Sequence, residues 1–148
     1  MNEQPAEKVV LHFSKQHLLK GYLADFNSTA PLLTVYPAGP DPAAAPVPVN
    51  VHDLKAIFYV RSFEGNPDYR EETLVGGREW AALRIMKVRF RDGETLAGYV
   101  SDYDPEALGF WLSPIDPNSN NARVFVLNAS VVDVWEVPHR SAVPRDKR

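Results

Sequence analysis

The sequence predicts an all-β protein made of two tandem five-stranded, strongly bent small barrels joined by a short helical connector. Three observations carry this prediction. The chain repeats itself at an offset of 77 residues, and apolar and polar residues alternate with a period of two inside each copy. In addition, 13 prolines and eight glycines among 148 residues leave little room for long helices.

The repeat is visible when the stretch Leu11–Pro37 is placed over the stretch Val88–Pro114. Seven of the 27 positions are identical, and most other apolar positions are matched in kind. The identical pairs are Phe13/Phe90, Leu19/Leu96, Gly21/Gly98, Tyr22/Tyr99, Asp25/Asp102, Ala30/Ala107 and Pro37/Pro114. The segments that start at Val49 and Val124 continue the likeness after loops of unequal length. A duplication explains this pattern best.

Alternation, as in Leu11-His12-Phe13-Ser14, is typical of strands with one buried face. It predicts strands near 8–13, 18–26, 32–37, 47–52 and 56–61 in the first copy, and near 84–91, 95–103, 109–114, 122–127 and 131–137 in the second. Asp92-Gly93 predicts a tight hairpin turn. Gly21 and Gly98 lie inside predicted strands, where glycine permits a sharp bend or a close approach of two backbones.

The predicted organisation is a first barrel at 7–61, a connector at 62–83, a second barrel at 84–137 and a basic tail at 138–148. Asn66 and Pro67 are typical of a helix start, which predicts a short helix as far as Leu74. The stretch 37–48 is rich in proline and alanine, so we expect an extended, solvated loop there. We expect the tail to be disordered.

The order of strands, turn and glycine resembles the first motif of Sm-like proteins, which are five-stranded, strongly bent small barrels. In the second copy, Gly93 and Gly98 keep the glycine spacing of that motif, and Tyr103-Asp104 occupy its aromatic and aspartate positions. SH3-like barrels share the same order of strands. The whole chain is also similar to an uncharacterised bacterial family of small duplicated β-domains.

The Sm resemblance does not extend to the residues that hold RNA in that family. Sm proteins that bind RNA use an asparagine after the aspartate and an Arg-Gly pair between the fourth and fifth strands. In the second copy the asparagine position falls at Leu108 or Gly109, and Leu127-Asn128 replaces the Arg-Gly pair. In the first copy the turn between the fourth and fifth strands is His52-Asp53. The resemblance therefore implies the fold and argues against RNA binding of the Sm kind.

Composition narrows the function classes further. Without cysteine there is no disulfide, thiolate metal site or cysteine nucleophile. A net charge of −3 disfavours a general nucleic-acid binder. The polar start of the chain and the short apolar runs predict neither a signal peptide nor a membrane helix, so a cytoplasmic location is expected.

Several groups of residues have side chains that could bind a metal or catalyse a reaction, but their spacing in the sequence does not match a known site. Asp116, Asn118 and Asn120 are spaced as in a calcium loop that lacks its glycine and its glutamate, so a polar hairpin loop is predicted. The acidic group Asp102, Asp104 and Glu106 could bind a metal, but the match of Asp102 with Asp25 at a turn favours hydrogen bonds to backbone amides. No metal site, cofactor or catalytic residue is predicted, and the chain is predicted not to be an enzyme.

Aromatic residues form the first candidate binding surface. Two small barrels have little interior, so we expect alternation to leave either Phe110 or Trp111, and either Phe58 or Tyr59, on an outer face. Such rings either cover the seam between the barrels or bind a partner. Trp80 is expected at the seam. The candidate partner-binding residues are Tyr59, Trp80, Phe110 and Trp111.

A basic strand forms the second candidate surface. Its side chains at 87, 89 and 91 are predicted to share one face, opposite Val88 and Phe90. This face either binds phosphate or an acidic partner, or it is an exposed face whose charges discourage aggregation. The basic residues are Arg84, Lys87, Arg89 and Arg91.

The function predicted from these features is a non-enzymatic protein-interaction or regulatory module. A partner protein would bind through an edge strand or an aromatic patch. The alternative is binding of nucleic acid or nucleotide phosphate on the strand Arg84–Arg91. Edge strands also offer a route to a homo-oligomer.

Overall fold

The structure, a computed structural model, describes residues 6–23, 26, 31–39, 45–64, 84–100, 102–116 and 118–137. The strands of the first half are β1 (Glu7–Phe13), β2 (Leu18–Leu23), β3 (Leu32–Pro37), β4 (Val47–Asn50) and β5 (Leu54–Val60). Those of the second half are β6 (Ile85–Phe90), β7 (Thr95–Tyr99), β8 (Gly109–Pro114), β9 (Asn121–Leu127) and β10 (Val131–Val137). The predicted strand positions are confirmed, whereas the predicted helix near 66–74 and the tail at 138–148 lie outside the described residues.

The ten strands form one antiparallel sheet in the order β10-β6-β7-β8-β9-β5-β1-β2-β3-β4. Within each half the fifth strand pairs with the first, and the remaining strands follow in sequence. The halves meet where β5 of the first pairs with β9 of the second. The prediction of an all-β fold is confirmed in the form of one continuous open sheet.

Equivalent strand pairs of the two halves have the same register once 77 is added to each residue number. Gly21 pairs with Pro37 on β3, and Gly98 pairs with Pro114 on β8. The pairing of β1 with β5 shifts by one residue before Phe13, and the pairing of β6 with β10 shifts at the equivalent Phe90. The repeat in the sequence is therefore also a repeat of backbone pairing.

The sequence comparison of the segments from Val49 and Val124 is wrong by two residues. Each half has a 3-10 turn between its fourth and fifth strands, at Val51–Asp53 and at Asn128–Ser130. These turns, and the strands on either side of them, lie 77 residues apart rather than 75. Similar apolar residues fit both alignments, and backbone pairing alone separates them.

The two larger apolar cores lie against opposite faces of the sheet, and the central strands contribute to both, while a third, smaller cluster contains Ile85, Tyr99 and Ile115. On β5, Ile57 and Tyr59 belong to the first core, while Ala56 and Phe58 belong to the second. On β9, Phe125 belongs to the first core. Burial on both faces explains why these strands are continuous apolar runs in the sequence instead of alternating ones.

Close approach of two backbones requires glycine in the second strand of each half, as predicted. A Cβ atom at Gly21 would lie 2.6 Å from the carbonyl oxygen of Tyr36 and 2.7 Å from Cγ1 of Val35. At the equivalent Gly98, a Cβ would meet the carbonyl oxygen of Ser113. In each half the second and third strands can approach this closely because the glycine has no Cβ atom at the point of contact.

Gly21→Ala is expected to lower the free energy of unfolding by about 1–3 kcal/mol, because β2 and β3 must separate to admit the methyl group. Urea denaturation measures this loss. Gly39→Ala is the matched control, since no atom lies within 4 Å of a Cβ built there. Equal effects of the two substitutions would contradict the packing argument.

Candidate interaction surfaces

An arginine covers two aromatic rings where the halves meet. Tyr59 of β5 and Trp111 of β8 have ring centroids 5.6 Å apart. The guanidinium carbon of Arg123 on β9 lies 4.4 Å from each centroid, a cation–π arrangement. Arg123 also donates from Nη2 to a Glu7 carboxylate oxygen at 2.8 Å. Burial raises the pKa of Tyr59 to about 12, although the nearby Arg123 lowers it.

This aromatic cluster continues into the first core. Phe26 contacts both Phe125, at a centroid distance of 4.7 Å, and Trp111, at 6.0 Å. Trp111 is 38% exposed, whereas Tyr59 is 4% exposed. The cluster therefore packs the seam and presents to solvent one edge that includes Trp111.

The other aromatic residues that the sequence suggests for a partner surface are buried or lie outside the described residues. Phe110 lies on the opposite face of β8 from Trp111 and is 2% exposed in the second core. The expectation that Phe58 or Tyr59 is exposed is wrong, because both faces of β5 are covered. Trp80 lies outside the described residues. The structure therefore brings Tyr59 and Trp111 together and separates Phe110 from them.

The basic strand has the orientation that the sequence predicts. Lys87 and Arg89 of β6 are exposed, and Val88 between them is buried. Arg91, just after the strand, is also exposed, and its Nε donates to the carbonyl oxygen of Ala129 at 2.8 Å. The side chains of Lys87 and Arg89 therefore lie on the same solvent-facing side of the sheet.

Acidic and aromatic residues of β10 lie beside this basic face. Asp133 is the register partner of Arg89, and the Arg89 guanidinium lies 5.7 Å from the Trp135 ring centroid. At the end of the strand, Arg84 Nη2 is 3.5 Å from a carboxylate oxygen of Glu136. Asp133 offsets part of the positive charge of Lys87 and Arg89, so their face is mixed rather than uniformly basic.

Among the strands of the described residues, β4 and β10 lie at the two edges of the sheet, and prolines close the first edge. The Val51 N–H donates to the carbonyl oxygen of Pro31, at 2.9 Å. Backbone groups of successive strand residues point to alternate sides, so Val51 and every second residue before it face β3. Pro46 and Pro48 therefore face the free side, where neither has an N–H to donate to a further strand.

The β10 edge keeps its donors. The Arg61 N–H donates to the carbonyl oxygen of Asn120, which orients alternate residues of β5 toward β9. Because β10 has the register of β5, its equivalent residues Val134 and Glu136 turn their backbone groups to the free side. These two residues offer N–H and C=O groups to an added strand. Val132, where the pairing with β6 shifts, is 52% exposed.

A lysine that no sequence motif indicates ties β5 to the turn between β6 and β7. Lys55 Nζ lies 2.8 Å from Oδ2 of Asp92, also contacts the Glu94 carboxylate, and lies 4.7 Å from the Phe90 ring centroid. Burial opposes its charge, but the hydrogen bonds to Asp92 and Glu94 outweigh that effect and raise the pKa of Lys55. The hydrogen bond from Lys55 lowers the pKa of Asp92.

His12 lies beside this ion pair. Its ring contacts Phe58 with a centroid distance of 4.1 Å. Burial, followed by the charge of Lys55, lowers the pKa of His12, although Asp92 and Glu94 act in the opposite direction. A histidine whose pKa is lower in the folded state stabilises the fold above its unfolded pKa of about 6.5 and loses that contribution as the pH falls.

We therefore expect the melting temperature to fall between about pH 7 and pH 5, because protonation of His12 favours the unfolded chain. His12→Gln removes the titrating group, so the variant should show a smaller fall over the same range. Calorimetry at the two pH values measures the difference. An equal fall in the two proteins would show that other groups cause it.

Two adjoining cavities lie near the ion pair of Lys55 and Asp92. Their volumes are about 170 and 290 Å³, and Ser14 and His52 line both. Lys55 and Arg91 also line the smaller cavity, and His17 lines the larger one. Both are below or near the lower limit of about 300 Å³ that is usual for small-molecule sites.

The acidic loops have the turn geometry that the sequence predicts. Asp104 accepts a hydrogen bond from the Glu106 N–H at 2.9 Å, and Asp116 accepts one from the Asn118 N–H at 2.8 Å. Within the described ranges, no group of three or more histidine or acidic side chains could hold a metal ion. The same part of the chain has no helix long and apolar enough to cross a membrane.

Residues 5–137 match a family model that is described as a family of unknown function, DUF6982. No curated protein matches the chain. No solved structure matches it either.

Proposed function

We propose that this chain, which belongs to the DUF6982 family, is a non-enzymatic interaction module that takes up an extended strand of a partner protein at β10. In this proposal its halves are Sm-like or SH3-like small barrels that arose by duplication and share one sheet. The equal strand order and register of the halves support the duplication. The two separate cores support a division into two barrels.

The difference between the two edges of the sheet carries the functional proposal. Proteins usually protect exposed edges, since an unpaired strand recruits other strands. Pro46 and Pro48 protect β4 in this way, whereas the outward positions of β10 are Val134 and Glu136. An edge that keeps its donors and exposes a valine is suited to β-strand addition, a common mode of peptide recognition.

The junction inside the molecule supports a proposal about the kind of strand that such an edge would accept. β5 pairs antiparallel with β9, and Ile57 lies opposite Phe125. The equivalent of Ile57 on β10 is Val134, which packs against the second core. A partner strand should therefore place a large apolar residue opposite Val134. A basic residue opposite Glu136 would pair with its carboxylate.

A peptide with the sequence of residues 119–128, which includes β9, is the probe for this edge. Fluorescence anisotropy of the labelled peptide should show saturable binding to the full chain. Val134→Pro removes an outward N–H, and we expect it to weaken binding about tenfold or more. Val134→Thr keeps the N–H and the branched shape, so it should bind with nearly the affinity of the natural chain.

A second peptide, with proline at the position of Phe125, separates strand pairing from nonspecific apolar contact, and it should not bind. Circular dichroism and thermal unfolding show whether each protein variant keeps its fold. If the natural chain fails to bind the first peptide, or if folded Val134→Pro binds it as tightly as Val134→Thr, strand addition at β10 is wrong.

The second candidate function is binding of nucleic acid or nucleotide phosphate on the basic strand. It is favoured by the shared exposure of Lys87 and Arg89 and by the Trp135 ring beside Arg89. Binding of a single-stranded oligonucleotide should then weaken steeply with salt. The double variant Arg89→Glu, Arg91→Glu should abolish it. Unchanged oligonucleotide binding by this variant would exclude the basic strand as the site.

A further inference from the structure

We infer that the molecule is built so that a second copy cannot extend its sheet. The junction inside the chain joins the fifth strand of the first half, β5, to the fourth strand of the second half, β9. The two edge strands are the equivalents of the two junction strands in the other half: β4, the fourth strand of the first half, corresponds to β9, and β10, the fifth strand of the second half, corresponds to β5. A second copy could therefore repeat the junction, and the contact would not close on itself.

The first obstacle lies on β4. The Asn128 N–H donates to the carbonyl oxygen of Leu108, so Phe125 and Arg123 turn their N–H groups toward β5. At the equivalent positions of β4 these donors are missing. The two pairs of equivalent residues are Arg123/Pro46 and Phe125/Pro48. Backbone bonds that hold the internal junction therefore cannot form at β4.

The second obstacle lies on the face of β6 and β10. The equivalent face of β1 and β5 packs into the second core, where Val10, Ala56 and Phe58 are buried. On the equivalent face of β6 and β10, charged residues occupy three of the four corresponding positions. The equivalent pairs are Val10/Lys87, His12/Arg89, Ala56/Asp133 and Phe58/Trp135. An added copy would have to bury these charges against its own apolar core, which is costly.

The obstacles differ in what they exclude. Prolines on β4 exclude any strand that needs those donors, whereas β10 still accepts a single strand that does not cover the face of β6. The chain is therefore protected against pairing with itself while one edge stays available to a different protein. This inference holds whether or not a partner strand binds, because it concerns two copies of the chain alone.

Two variants that each remove one obstacle provide the test. The first carries Pro46→Arg and Pro48→Phe, and the second carries Lys87→Val, Arg89→His, Asp133→Ala and Trp135→Phe. Every new residue is the one that the other half has at that position. Each variant alone keeps the other obstacle, so each should be monomeric. Their equimolar mixture should form a complex of twice the mass of one chain, measured by light scattering during gel filtration.

Val134→Pro added to the second variant should abolish the complex, because it removes the backbone donor on the β10 side. Circular dichroism of each variant before mixing establishes that it is folded. A variant chain that carries all six changes should form larger, concentration-dependent species. If two folded variants fail to associate, or if the natural chain already forms oligomers of its own, the inference is overturned.

Discussion

Replacing Phe125 with alanine is expected to lower the free energy of unfolding by about 3–5 kcal/mol, the usual range for a large aromatic residue in a core. Phe125 is 2% exposed and lies on β9, which joins the two halves. Its ring contacts Phe26, at a centroid distance of 4.7 Å, and Trp111, at 5.1 Å. Truncation therefore opens a cavity where the seam and the first core meet.

Guanidinium denaturation followed by tryptophan fluorescence measures this loss. Val132→Ala is a suitable control, because Val132 is 52% exposed and its truncation should cost less than about 0.5 kcal/mol. The unfolding of the natural chain should be a single transition, since β5 and β9 belong to both cores. A loss below about 1 kcal/mol for Phe125→Ala would contradict its role at the junction.

Removing the charge of Lys55 is expected to lower the free energy of unfolding by a smaller amount. Lys55→Met leaves Asp92 and Glu94 without their shared cation, and only 9% of the Lys55 side chain is exposed. The carboxylates are 27% and 45% exposed and can take up water, so we expect a loss of about 1–3 kcal/mol, less than for a fully buried pair.

The loss should depend on pH in a defined direction. Asp92 has a lowered pKa in the folded state, so its pairing stabilises the fold above its ordinary pKa and is lost as the pH falls. The difference in unfolding free energy between the natural chain and Lys55→Met should therefore shrink in acid. A difference that stays constant down to about pH 2 would contradict the ion pair as its cause.

Much of the fold could be predicted from local sequence patterns. Alternation marked most strands, and the bounds predicted for β3, β8 and β10 are those observed. The close backbone approach at Gly21 and Gly98 and the exposed side of Lys87 and Arg89 were also predictable. These features depend on neighbours in the chain or on a period of two, which a single sequence displays.

The junction between the halves could not be predicted in the same way. Pairing of β5 with β9 joins residues more than 60 positions apart, such as Ile57 and Phe125. Continuous apolar runs do not show which side each residue faces, and the sequence predicts that either Phe58 or Tyr59 is exposed, whereas both are buried. Burial on both faces of β5 explains that error.

The candidate site depended on residues whose importance is clear only in the sheet. Pro46 and Pro48 look like part of a proline-rich loop in the sequence, and their effect follows from their position on an edge strand. Lys55 lies in an apolar segment, while its partners Asp92 and Glu94 belong to the other half. No local signal connects these residues.

Amide hydrogen exchange at β10, followed by nuclear magnetic resonance, tests most directly whether this edge accepts a strand. In the free chain, the amides of Asp133 and Trp135, which face β6, should be protected, while those of Val134 and Glu136 should exchange rapidly. Saturation with the residue 119–128 peptide should protect the latter two. If these two amides are already protected in the free chain, or stay unprotected with the peptide, β10 is not the docking edge.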